Sequence, residues 1–88
     1  MCAFADPRAR VFSSVNGLVD DWCERRSLRA LTEVLRAWPL SSGSAEEWGE
    51  LREALAGVRA FAAQELNERE LEVVEESIAA IDGFLLRA

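Results

Sequence analysis

The chain has 88 residues and contains no histidine, lysine or tyrosine, so all ten of its positive side chains are arginines. Those absences remove whole classes of chemistry. Histidine acid–base catalysis, Ser/His and Cys/His nucleophilic dyads, His-containing zinc sites and the E-x-x-H di-iron bundle each lack an essential member. A P-loop lysine is missing, and five glycines make no phosphate-cradling loop. The two cysteines, Cys2 and Cys23, are too few for a disulfide framework, and neither sits in a C-x-x-C pair. Cys23 reads as a half-buried small hydrophobe. No run approaches the ~20 apolar residues of a membrane span and no apolar signal core opens the chain, which argues for a cytoplasmic protein away from membranes.

What is present is half hydrophobic and acidic, with a net charge of −6. The charge is unevenly placed. Residues 1–40 carry six Arg against five acids, whereas residues 41–88 carry four Arg against eleven, giving +1 and −7. An acidic half argues against nucleic acid, whose affinity depends on phosphate contacts, and suits a basic protein partner. A chain this short buries only about 60–65% of its unfolded surface, so one domain over 1–88 has reason to gain burial by pairing with another chain.

The strongest pattern runs from Ser44 to Arg87. Large apolar residues fall at Trp48, Leu51, Leu55, Val58 and Ala62, then at Leu71, Val74, Ile78, Ile81 and Leu85, in alternating steps of three and four. That is the seam of two helices packed at a shallow angle. Ser44 with Glu47, and Asn67 with Glu70, have the spacing of capping boxes, and Leu66 with Leu71 has that of a hydrophobic staple. These signals predict helices over 45–66 and 68–87, each about 30 Å long at 1.5 Å per residue, joined by one or two residues as an antiparallel αα-hairpin.

The N-terminal half predicts a flexible arm over 1–6 and a helix over 7–25, with Asp6 as cap and Pro7 at the first helical position. Val11, Phe12, Val15, Leu18, Val19, Trp22 and Cys23 share one face of it. Leu28, Leu31, Val34, Leu35 and Trp38 form a second stripe, rotated by roughly 160° if the helix ran on. Either Ser27 caps a separate helix over 27–38 or one continuous helix buries opposite faces against different partners. Pro39 ends it in both cases. The expected fold is all-α: a small four-helix bundle built on the long hairpin, with two shorter N-terminal helices. A DNA-reading helix-turn-helix wants an Arg-rich polar face, and Arg29, Thr32, Glu33 and Arg36 do not supply one.

Three constellations are candidates for function. The Arg cluster Arg25, Arg26, Arg29 and Arg36 either clamps an acidic partner or faces the acidic hairpin within the fold. Gly49, Ala56, Ala60 and Ala63, with Val73 and Phe84 on the second arm, are either covered by the N-terminal helices or form a homodimer contact. The acidic series Glu68, Glu72, Glu75 and Glu76 is either a solvated face or a docking surface for a basic protein. The leading expectation is a non-enzymatic protein-binding module of immunity, inhibitor, antitoxin or regulatory-adaptor type, homodimeric and without cofactor.

The segment EEWGELREAL, Glu46–Leu55, resembles the first E-x-x-E helix of the all-α MazG-like nucleotide pyrophosphohydrolases. That resemblance implies the alternative, a Mg²⁺-dependent pyrophosphohydrolase assembling as a dimer or tetramer. Glu47 and Glu50 would be its first metal-binding pair. Glu72 and Glu75 would be its second, with Glu75 standing where the family carries Asp.

Overall fold

A helix forms here wherever large apolar side chains recur every three or four residues. The computed structural model describes residues 7–41 and 43–86. Its helices are α1, Pro7–Arg25; α2, Leu28–Val34; α3, Ala45–Phe61; and α4, Glu68–Leu86, with a 3₁₀ turn at Ala63–Glu65. Among the described residues there is no strand, so the fold is all-α. None of these helices is long and apolar enough to cross a membrane. The expected arm over 1–6, the Asp6 cap and the helix end at Arg87 lie outside the described residues.

The four helices contact one another in a closed ring, α1 on α2, α2 on α3, α3 on α4 and α4 on α1. Inside it lie Val11, Val15, Leu18 and Trp22 from α1, Leu51, Leu55 and Val58 from α3, and Val74, Ile78 and Ile81 from α4. Burying each such side chain contributes about 1.5–3 kcal/mol. Arg52 of α3 meets Asp82 of α4 at 2.5 Å, which joins the middle of one helix to the last turns of the other. Hydrogen bonding and attraction to Asp82 raise the Arg52 pKa still further above its ordinary value.

Several expectations need correction. The N-terminal helices are not both short: α1 has 19 residues, as many as α4 and more than the 17 of α3. Its 11/15/18/22 stripe is unbroken, because Gly17 stands on the exposed side. Only α2 is short, with seven residues rather than the twelve of 27–38. After Val34 the chain tightens, Ala37 N–H bonding to Val34 O at 3.1 Å, and Trp38 turns inward to meet Phe12 with ring centroids 4.7 Å apart. Pro39 has no N–H with which to continue.

The link between α3 and α4 is also longer than one or two residues. Helix α3 stops at Phe61 although Ala62–Leu66 are good helix formers. Tertiary contacts outweigh propensity there. The 3₁₀ turn brings the Glu65 carboxylate to the Ala30 N–H of α2 at 3.3 Å and lets Leu66 pack against the core.

Between α1 and α2 the helix breaks. Arg26 takes φ 58°, Ser27 N–H bonds to Trp22 O at 2.9 Å and Arg26 N–H to Cys23 O at 3.3 Å. This is a Schellman ending with arginine where glycine is usual. The Ser27 hydroxyl does not cap α2; it accepts from Arg25 at 3.5 Å. Cys23 is exposed rather than half-buried, being about 100° around α1 from Trp22.

Both long caps form. The Ser44 hydroxyl accepts from Glu47 N–H at 3.3 Å, while the Glu47 carboxylate reaches back to the Ser41 and Gly43 N–H groups at 3.1 and 2.8 Å. At α4 the box is reciprocal: Glu70 N–H to Asn67 Oδ1 at 2.8 Å, Asn67 N–H to Glu70 Oε1 at 3.3 Å. That same Glu70 oxygen receives Arg25 at 2.8 Å, and the Arg25 guanidinium also reaches Glu65 O at 3.3 Å.

Two stability outcomes follow from this junction. Replacing Arg26 with glycine removes a side chain from the left-handed region, so Arg26→Gly is expected to raise stability by about 0.5–1 kcal/mol. Glu70→Ala removes a cap acceptor and the Arg25 partner together and is expected to cost about 2 kcal/mol. Urea denaturation checks both; a stabilisation lost at position 26, or an unchanged midpoint at position 70, would contradict this picture of the junction.

Candidate functional site

Helix α4 turns Val74, Ile78 and Ile81 inward, which places Glu68, Glu72, Glu75 and Glu76 on its opposite side by helical geometry. All four are exposed, and none has an ion pair or hydrogen bond among the described residues. They make a ridge of like charge, each neighbouring pair repelling by a few tenths of a kcal/mol, that is, about 0.2–0.5.

The Arg cluster is divided. Arg25 turns into the fold to hold Glu70. Arg36 is 70% exposed and only 3.8 Å from Glu33, and Arg26 and Arg29 are exposed without an ion pair among the described residues.

The small residues of α3 lie against α2. Ala56, Gly57 and Ala60 line a groove of about 620 Å³ whose other wall is Glu33, Arg36 and Ala37. A Cβ at Gly57 would stand 2.7 Å from Glu33 Oε1, so glycine lets that carboxylate approach the helix. Phe61 stands at the groove's edge, 67% exposed. Gly49 is half-buried on α3, and Ala63 is half-buried in the 3₁₀ turn, off the helical face. Val73 and Ala80 are half-buried beside α1, Val73 in a crevice with Gly17 and Leu18 and Ala80 in one with Arg10 and Ser14. The backbone of Phe84 belongs to α4; its side chain is outside the described residues. The six candidates for a dimer contact therefore occupy separate flanks, several of them facing helices of the same chain.

A different apolar surface emerges. Phe12, Leu28 and Leu35, assigned to core stripes from the sequence, are 44%, 67% and 49% exposed. Helix α2 instead buries Ala30 and Val34, with Trp38 following. A helix of seven residues presents one narrow face, and the small Ala30 lets it approach α3 closely. The alternation Ala30, Val34, Trp38 in steps of four was the signal available, and the larger leucines overshadowed it.

The four carboxylates implied by the pyrophosphohydrolase resemblance are not brought together. Glu47 is committed to the loop before α3. Asp82, which touches Arg52 near the middle of α3, lies roughly 15 Å along α4 from Glu72. Among the described residues no three His, Cys, Asp or Glu side chains converge where they could hold a metal ion. No known family model, characterised protein or solved structure matches the chain, so the likeness of Glu46–Leu55 rests on those residues alone.

The two glutamates of that E-x-x-E pair are expected to behave differently. Glu47→Ala, which strips acceptors from loop N–H groups, should cost about 1–2 kcal/mol without any metal, and exposed Glu50→Ala less than about 0.5 kcal/mol. Thermal or urea unfolding in the presence of a chelator distinguishes this from a shared metal role, in which both would be silent until Mg²⁺ is added.

Proposed function

We propose that this chain is a small acidic protein-binding module without catalytic activity, a four-helix bundle built on an antiparallel α3–α4 hairpin. It works in the cytoplasm as a homodimer that engages a basic protein, as an immunity protein, inhibitor, antitoxin or regulatory adaptor does. The observation that carries the reading is the α4 ridge. Four exposed carboxylates on one helical face, none ion-paired among the described residues, are mutually repulsive, and a basic partner relieves that repulsion while gaining on-rate from the long-range field. The exposed Phe12, Leu28, Leu35 and Phe61 support burial against a further chain.

The ridge is tested by reversing its charge. Glu72→Lys with Glu75→Lys and Glu76→Lys should leave the fold intact, these side chains being exposed, and should abolish retention of a basic partner that the unaltered protein holds at low salt. Retention indifferent to both reversal and salt would overturn the reading. Nucleoside triphosphates with Mg²⁺ should show no turnover above buffer; turnover that disappears in Glu50→Gln would establish the enzyme instead.

A further inference from the structure

We propose that two copies of this chain pair through the outer flank of α1 and α2, with α1 of one copy lying over α2 of the other. This rests on the homodimer reading above and names its surface.

The flank is defined by what lies on either side of each helix. On α1, Ser14, Gly17 and Asp21 line the crevice toward α4. The opposite side carries Phe12, Val19 and Cys23, about 100° around the helix from Val11, Leu18 and Trp22. On α2, Glu33 and Ala37 line the groove toward α3. The opposite side carries Leu31 and Leu35, with Leu28 just beyond. Helix α1 packs on α2, and the Phe12–Trp38 ring contact joins the Phe12 side of α1 to the segment that follows α2. One flank thus holds three of the four large apolar side chains that stand exposed among the described residues. Phe61, the fourth, lies at the groove between α2 and α3.

Charge favours a second copy as the occupant. Outside the apolar stripe come Asp20 and Glu24 on the α1 edge and Arg29 on the α2 edge, all exposed and none ion-paired among the described residues. A twofold axis running between the two helices sets α1 over the partner copy's α2. The acidic edge of each copy then meets the arginine edge of the other, and symmetry makes the match twice. Self-pairing through α3 and α4 has no such match, because residues 41–88 carry −7 against +1 for residues 1–40. A stable interface takes about 800 Å² from each partner, roughly a seventh of the 5656 Å² surface.

Light scattering and sedimentation equilibrium test the surface separately from the dimer. The unaltered chain should have about twice the 9.8 kDa monomer mass. Leu28→Asp with Leu35→Asp should give the monomer mass with an unchanged circular dichroism spectrum, while Ala60→Arg on α3 should leave the dimer intact. Arg29→Glu should weaken pairing about tenfold, and adding Asp20→Arg and Glu24→Arg should restore it. A dimer that survives the leucine pair, or that Ala60→Arg breaks, overturns this surface and leaves the homodimer reading standing. A monomer mass for the unaltered chain up to millimolar concentration overturns both. If the leucine variant fails to fold, the Arg29 reversal and its rescue decide: loss without rescue, or no loss, overturns the pairing.

Discussion

Glu70 is the carboxylate on which three segments close. It is 6% exposed, it caps α4 through the Asn67 N–H, and it takes the Arg25 guanidinium that also holds the carbonyl of Glu65. A buried carboxylate is tolerable only when its lone pairs are occupied, so each partner constrains the others. The end of α1, the 3₁₀ turn and the start of α4 are thereby held at one point. Arg26 follows directly in the left-handed conformation, which fixes the direction in which α2 departs. The position of α2 against α3 is therefore tied to a junction whose two partners, Arg25 and Glu70, stand 45 residues apart in sequence.

That departure sets what the molecule can cover. Helix α2 has seven residues to lay over α3, and it does so with Ala30 and Val34, assisted by Glu65 reaching the Ala30 N–H. Such a short element fills part of one face. Leu28 and Leu35 stay outside, Phe12 is only partly covered by Trp38, and a groove persists between Glu33 and Gly57. The exposed apolar surface follows from economy of chain: three helices of 17 to 19 residues are assembled around a fourth too short to shield them.

Much of this was legible in the residues, and the failures have physical causes. The seams of α3 and α4 recur in steps of three and four over several turns, and the capping residues sit next to the helices they start, so local rules suffice for both. The 3₁₀ turn could not be read from Ala62–Leu66, where every residue favours a helix and the deciding contacts come from α2 and the end of α1. Arg25 looked like one of four equivalent arginines; its commitment to Glu70 depends on a fold that closes over 45 residues. At the candidate surfaces, spacing grouped the acidic residues of α4 on its exposed side, whereas Ala63 left the small-residue stripe for the 3₁₀ turn. Spacing could not tell that Ala56 faces α2 or that Val73 faces α1. Nor could it tell that Leu28 and Leu35 would lose the contest for the core to Ala30 and Val34.

The separation of charge along the chain becomes a separation in space. The near-neutral first half supplies the α1/α2 flank and the acidic second half supplies the α4 ridge. At physiological ionic strength the Debye length is about 8 Å, whereas the molecule measures 21 Å across its narrowest axis. Charges farther apart than a few such lengths are screened from one another, whereas Glu76, which lines a crevice with Arg10 and Ser14, keeps one end of the ridge close to α1. Salt acts on the two surfaces unequally. Screening weakens an exposed ridge of carboxylates directly, whereas an apolar contact with a few edge charges keeps most of its driving force, because burial of hydrocarbon does not depend on ionic strength in this range.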